Sequence, residues 1–469
     1  MFFSFKRHQQ YPLSEGIPPA DRMSAVLAVS LGVCMASLDT AIANTALPTM
    51  AHDLLTSESR SVWVVSSYQL AMVCALLPAA SLGEIIGHRR IAMSGLILFT
   101  IASLACGLAP SLEWLVVARV LQGLGAAGIM GVNGAMLRFI YPAHSLGKGM
   151  GVNAIVVGLS FAAGPTAASI ILSMASWHWL FLVNVPIGIL ACVLGRGSLP
   201  VTLRSNRPFD SISAMLCAGF LAMVVFTLNE AAHAANWTPV FIDIAITLAL
   251  LLILLKRQAG DPAPLLAIDL LRKPIFALSA ATAICTFSTQ ALAFIALPFM
   301  FQSMFGYSQV ETGFLITPWP VMVAMFAPIA GRLSDKYQAG WLSGLGLGVL
   351  ALGMALLATM PGQPSVFDIS WRMAICGAGF GFFQSPNVRT LMSSAPPGRS
   401  GGASGMVGTV RLLGQSIGAA LVAACFNIST VEGAVLAIWM GAGFACLASV
   451  ASFSRLKYSD TQGTMSKKL

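Results

Sequence analysis

Residues 23–48 read MSAVLAVSLGVCMASLDTAIANTALP, an apolar run whose single charge is Asp39. A membrane-spanning helix needs about 20 mostly apolar residues, so this stretch predicts a span. At a rise of about 1.5 Å per residue, Asp39 lies about 24 Å along it from Met23, past the middle of a bilayer. An ionisable group at that depth is costly and is retained for function by default. The alternative reading is a structural buried acid with a basic partner.

The rest of the chain repeats the pattern. Of 469 residues, 57% are hydrophobic and 9% charged, against about 25% charged in soluble proteins. Mean hydropathy is +0.81. Such a chain is solvated by lipid. Further spans are expected near 61–85, 91–109, 113–138, 149–174, 178–198, 211–230, 238–255, 275–303, 309–331, 341–360, 369–390, 401–426 and 433–453, which makes fourteen. Residues 1–22 contain no apolar run long enough for a signal peptide and read as a retained cytoplasmic tail, like residues 455–469.

The formal charge of +9 suggests an anionic partner until its location is checked. With the N-terminus inside, all but four of the 26 lysines and arginines fall in alternate, inner segments, the distribution of cytoplasmic loops. The exceptions are Arg60 and Arg372 outside, and Arg119 and Arg411 within spans. The basic excess is therefore a topology signal, and no nucleic-acid partner is expected. The nine cysteines stand singly in apolar stretches and read as packing residues. The six histidines lie in tails, loops or span ends, so neither a metal site nor a membrane-embedded enzyme is expected. A channel would need a repeated pore motif, which the sequence lacks.

The two largest inner loops, 199–210 and 256–274, bracket spans 7 and 8. The chain thus divides into an N-terminal bundle of six helices (23–198), two additional helices with flanking loops (199–274) and a C-terminal bundle (275–454). The loop after span 2, Ala80-Ser-Leu-Gly-Glu84-Ile-Ile-Gly87-His-Arg89-Arg90, has a counterpart after span 10, Gly331-Arg-Leu-Ser-Asp335-Lys336. In both, an acid follows a small residue by four positions and basic residues come next. Repeated halves around a midplane site are the build of many secondary transporters.

Six stretches in order carry a resemblance. They are Leu38-Asp39-Thr-Ala-Ile-Ala-Asn44-Thr-Ala-Leu47-Pro48, the loop at Glu84, Ala118-Arg119-Val-Leu-Gln122-Gly123, Gly164-Pro165, Ser176 to Gly188, and Gly401 to Gln415. Nearly the whole chain resembles the major facilitator superfamily, and within it the fourteen-span drug–proton antiporters of the QacA/EmrB type. The resemblance implies an all-α membrane fold with 6+2+6 helices and pseudo-twofold halves. It also implies multidrug efflux with protons as the coupling ion, no other cofactor, and an inner-membrane location. It leaves open a periplasmic adaptor and an outer-membrane channel as partners; otherwise the chain is a monomer. The sequence departs from the family where Glu84 replaces an aspartate, His88 a basic residue, and Ala167-Ala168 a glycine pair.

Arg119 lies at a depth close to that of Asp39 in the same half, so an Asp39–Arg119 pair is geometrically reasonable. The resemblance implies that this pair couples protonation to substrate binding. Gln122, one turn deeper, could bond substrate or a neighbouring helix. Asn44, Gln290, Gln384 and Arg411 are further candidates for the cavity, with Asp243 and Gln302 weaker ones. Arg411 near mid-depth must have a partner or face water, and it either discourages simple cations or binds an acid. Glu84, Arg89 and Arg90, with Asp335 and Lys336, read as inner latches between the halves. Gly164 and Pro165 read as a closely packed helix, which in the family is the antiporter signature. Gly340/Gly344/Gly348 and Gly414/Gly418 read as packing faces. Gly123-Leu-Gly125-Ala-Ala-Gly128 matches the dinucleotide pattern GxGxxG, but inside an apolar span that pattern has no cofactor to bind. The expected activity is export of small amphipathic or cationic compounds in exchange for protons. The alternative is a dedicated metabolite exporter or lipid translocator of the same fold.

Overall fold

The computed structural model describes residues 16–142, 146–202, 209–233, 238–259, 268–334, 336–394, 400–428 and 430–457. The described residues form helices joined by short turns. The first group comprises α1 (Pro19–Asp53), α2 (Glu58–Ser61), α3 (Trp63–Ile86), α4 (His88–Gly107), α5 (Leu112–Ile140), α6 (Leu146–Met174), α7 (Trp179–Leu182) and α8 (Asn184–Ser198). Next come α9 (Ser211–His233) and α10 (Thr238–Gln258). The last group comprises α11 (Pro274–Phe299), α12 (Gln309–Ile316), α13 (Pro318–Leu333), α14 (Ala339–Ala358), α15 (Val366–Ser393), α16 (Ser400–Ile428) and α17 (Thr430–Ser454). A π-helical turn, Met300–Met304, extends α11.

Among the described residues, twelve helical segments are long and apolar enough to cross a membrane. The expected count of fourteen is therefore reproduced only in part. At 211–230, α9 is a helix of 23 residues whose described apolar stretch is Ser211–Thr227. At 369–390, α15 has 28 residues, but Asp368, Arg372, Gln384, Asn387 and Arg389 dilute its hydrophobicity. Three candidate spans each comprise two α-helices: α2 with α3, α7 with α8, and α12 with α13.

Within the first group, α1 packs on α6 and α8, and α5 lies between α3 and α4. The GxGxxG stretch explains the second contact. A Cβ at Gly123 would meet the Tyr68 carbonyl of α3 at 2.4 Å, and one at Gly125 the Phe99 nitrogen of α4 at 2.6 Å. These glycines let three backbones approach closely. In the last group, α11 packs on α16 and α17, and α14 on α15 and α17. A Cβ at Gly414 would meet the Ile284 carbonyl at 2.5 Å, and one at Gly340 the Leu456 side chain at 2.9 Å. Both packing faces are thus confirmed, and the contact is looser at Gly348, where the nearest atom is at 3.9 Å. Helices α9 and α10 pair with each other, and α9 rests on α3 and α16. Phe241, Ile242, Leu248, Leu252 and Ile253 of α10 remain exposed, as suits a lipid-facing surface.

Both described chain ends lie on one face of the molecule. Arg455, after α17, reaches Ser279 near the start of α11. At the opposite face, the end of α1 and the residues after α11 line the same cleft, so those two helices run parallel. There the two groups also meet closely. Ser59 Oγ of α2 donates to the Ala423 carbonyl of α16 at 3.3 Å, and Thr166 of α6 pairs with Thr317 at 2.8 Å. A Cβ on Gly313 of α12 would stand 1.6 Å from Ser169 Oγ and 2.5 Å from the Pro165 carbonyl.

Candidate functional site

Asp39 is 2% exposed, and Arg119 and Gln122 are fully buried. Three helices bring them together: α1 supplies Asp39, α5 supplies Arg119 and Gln122 one turn apart, and the N-terminus of α8 supplies Asn184. Arg119 Nη1 donates to Asp39 Oδ2 in a short ion pair and to Gln122 Oε1 at 2.7 Å. Gln122 Nε2 donates to Asp39 Oδ1 at 2.8 Å and to Ser103 Oγ of α4 at 2.9 Å. Asn184 Nδ2 donates to Asp39 Oδ1 at 3.2 Å. The expected pairing of Asp39 with Arg119 is therefore present in the structure.

Arg119 is held from three sides. Its Nε donates to the Val64 carbonyl at 2.8 Å, and its guanidinium lies over the Tyr68 ring at 4.2 Å and near the Phe181 ring at 5.6 Å. Arrangements of this kind stabilise a desolvated cation. Tyr68 in turn donates to the Ala36 carbonyl at 3.1 Å. Arg119 Nη2 has no hydrogen-bond partner among the described residues. Breaking a buried pair by withdrawing one member costs about 3–5 kcal/mol because the other charge is left uncompensated. Asp39 and Arg119 therefore hold each other in place, and neither can be withdrawn without a substitute partner for the other.

The other expected cavity residues are dispersed. Asn44 is buried on α1, with its Oδ1 unpartnered. Gln290 of α11 and Gln384 of α15 are half-buried and take no part in the Asp39 network. Arg411 of α16 has a buried Nε without a partner. Gln302 lines the cleft of about 430 Å3 opposite the chain ends, together with Pro48, His52, Asp53 and Gln309. Asp243 is half-buried on α10.

The latch residues lie on the face that carries the chain ends. Glu84 and Arg90 are exposed, as is Lys336, and none of the three makes an ion pair among the described residues. Asp335 lies outside the described residues. Arg89 Nη2 donates to the Arg196 carbonyl at 2.6 Å, which ties α4 to α8. Gly87 between α3 and α4 has φ +105°, a conformation that favours glycine, and this explains its place in the quoted loop. His88 is 7% exposed, and its backbone nitrogen donates to Thr202 Oγ1 at 2.9 Å. It is thus a packing residue rather than a loop cation. A Cβ at Gly164 would meet the Ala41 side chain at 2.4 Å, so α6 presses on α1 two residues from Asp39.

Two features were not expected from the sequence. Ser103, Asn184 and the Val64 carbonyl complete the Asp39–Arg119 network; only Asn184 stood in a quoted motif, and without a role. Arg455, which reads as a tail cation, is instead 3% exposed. Its Nη1 donates to Ser279 Oγ at 2.9 Å and to Asn387 Oδ1 at 2.7 Å, joining α17 to α11 and α15. All nine cysteines are free, and no group of three or more metal-binding side chains occurs among the described residues.

The sequence pattern of the Major Facilitator Superfamily matches residues 29–419. The chain is 46% identical to a protein named uncharacterized transporter YebQ of Escherichia coli K12, over 94% of this chain and 97% of that one. It is 29% identical to riboflavin transporter RibZ of Clostridioides difficile, over 86% and 87%. It is 30% identical to multidrug resistance protein Stp of Mycobacterium tuberculosis, over 90% and 77%. The chain is a many-span helical membrane transporter and belongs to the Major Facilitator Superfamily.

Proposed function

We propose that the protein is a proton-coupled exporter of small amphipathic compounds that works by alternating access between its two large helix groups. The observation that carries this reading is Asp39, a carboxylate buried in a membrane helix and held by Arg119, Gln122 and Asn184. Burial without a cation favours the neutral acid, whereas a guanidinium favours the carboxylate. A rearrangement that moves Arg119 relative to Asp39 therefore takes up or releases a proton, and the two states of the pair become the two states of a transport cycle. The name of the Mycobacterium relative supports a drug as cargo. The name of the Clostridioides relative, a riboflavin transporter, supports a single metabolite as cargo, as in the second reading.

In this reading α9 and α15 also cross the bilayer, giving fourteen spans in a 6+2+6 order in the bacterial inner membrane, with both chain ends cytoplasmic. The support is the distribution of lysines and arginines and the shared face of the two chain ends. Glu84, Arg89, Arg90 and Lys336, with Asp335, then act as latches between the halves on the cytoplasmic side. The tight contacts at Gly313 and Ser59 describe a state closed on the outer side.

The test is a panel of drugs and metabolites in everted vesicles, with and without collapse of the pH gradient. Gradient-dependent uptake of at least one class is expected, and drugs against metabolites separates the two readings. A panel whose fluxes are all indifferent to the gradient contradicts both.

A further inference from the structure

Arg411 sits 11 residues into α16, about 16 Å from its start, at a depth where a charge needs a partner or water. Helix α16 runs antiparallel to α3, pinned at Ser59 and Ala423 on one face. Farther along, a Cβ on Gly408 would touch Leu76 and one on Gly405 would touch Leu77, each at 2.8 Å. This register sets Arg411 between the levels of Leu76 and Tyr68, on the seam between the two helix groups. The two side chains are close enough for the Arg411 charge to act on the Tyr68 hydroxyl.

Among the described residues Arg411 forms neither an ion pair nor a hydrogen bond, and its Nε is buried and unpartnered. The acids on the helices around α16 do not reach it. Glu58, Glu84, Glu113, Glu230, Asp368 and Glu432 all stand near helix ends. Asp39 lies nearer in depth, but its oxygens are occupied by Arg119, Gln122 and Asn184. The pair at Asp39 is electrically balanced, so the seam carries one uncompensated positive charge.

The two helices of this seam carry further unpartnered polar atoms. Ser66 Oγ, Ser67 Oγ and Gln69 Oε1, within a turn of Tyr68 on α3, are buried without partners, as is Ser416 Oγ on α16. All four residues are at least nine-tenths buried. Leaving such groups unsatisfied costs about 1–3 kcal/mol each, a cost that a bound polar group would remove.

We infer that Arg411 is the docking point for the anionic group of the transported compound, an amphipathic organic acid or zwitterion rather than a simple cation. This rests on the proposed export function and narrows its substrate class. The planar guanidinium fork matches a carboxylate or sulfonate. Tyr68 lies over Arg119 and is also within electrostatic reach of Arg411.

The test is equilibrium binding to the purified full-length protein in detergent. The probes are two dyes that share a xanthene ring system, anionic fluorescein and cationic rhodamine 6G. The wild type is expected to bind fluorescein more tightly than rhodamine 6G. Arg411→Gln is expected to weaken fluorescein about tenfold or more, the usual scale of a charge-assisted contact, while rhodamine 6G changes by less than about twofold. Preference of the wild type for rhodamine 6G overturns the inference, as does unchanged fluorescein affinity in Arg411→Gln or no fluorescein binding to folded wild type. A readout without a variant guards against misfolding: benzenesulfonate must displace fluorescein, and tetraphenylphosphonium must not. Displacement by added phosphatidylglycerol as effective as that by benzenesulfonate would assign the site to lipid headgroups and remove the substrate role. No gradient enters these measurements, so a failure here is distinct from a failure of proton coupling in the vesicle fluxes.

Discussion

Gln122 donates to Asp39 Oδ1 at 2.8 Å while its own carbonyl accepts from Arg119 at 2.7 Å, so one side chain braces both members of the buried ion pair. Replacing it with leucine leaves Asp39 Oδ1 with Asn184 alone and removes the donor to Ser103 Oγ, which keeps its own bond to the Phe99 carbonyl. The loss of hydrogen bonds to charged groups is worth about 1.5–3 kcal/mol. Gln122→Leu should therefore fold, transport about tenfold more slowly and show a displaced pH profile. Steady-state flux across a pH series checks this, and an unaltered profile would relegate Gln122 to packing.

Gly313 decides how closely α12 can lie on α6. With a Cβ 1.6 Å from Ser169 Oγ, Gly313→Val should prop the groups apart on the face opposite the chain ends. Spin labels at Leu55 and Met304, both exposed there, should report a longer separation than in the wild type, with transport reduced at least tenfold. Identical distance distributions would show that this contact is not part of the moving seam.

What the sequence disclosed about the site follows from cost. Asp39 and Arg119 are charges in apolar runs, and each demands a partner at its own depth, so their pairing was legible. Ser103, Asn184 and the Val64 carbonyl bear no such cost individually, and an apolar span does not show which way a small polar side chain points. Arg455 was misread for a related reason. It follows directly on an apolar run, so the charge map counted it as a tail cation, whereas its long side chain folds back among Ser279, Asn387 and Ser452. The packing glycines were legible from their spacing, and their helix partners were not. The polar face of α15 is also why one of the fourteen expected spans does not stand out by composition.

Arg455→Ala should destabilise the fold without changing which compounds are carried. Burial lowers the guanidinium only to about 10, so it stays charged at neutral pH, and its removal strands Asn387 Oδ1 while Ser279 Oγ keeps its bond to the Ile275 carbonyl. A loss of about 2 kcal/mol is expected, read as a lower unfolding temperature in detergent with substrate preference retained. A changed preference would place Arg455 in the transport path.

Asp210 and Arg257 close the α9–α10 pair at 3.0 Å. Arg257 first, and then Ser213, hold the Asp210 carboxyl well below the usual range. A depressed folded value means that the contact contributes above the ordinary aspartate range and is lost as pH falls through and below it. Asp210→Asn should speed hydrogen exchange at the start of α9 at neutral pH, with the difference from the wild type beginning to shrink only once pH falls below the ordinary aspartate range, and leave transport intact. Equal exchange at pH 7 would contradict the clasp.

The most direct test of the account is proton-driven flux through Asp39→Asn. Asparagine keeps the shape and an Oδ1 that accepts from Gln122 Nε2 and Asn184 Nδ2, but it cannot exchange a proton. In proteoliposomes with an imposed pH gradient, the variant should insert and bind substrate yet show no gradient-driven accumulation. Accumulation at the wild-type rate with the wild-type pH dependence would contradict the assignment of Asp39 as the coupling group.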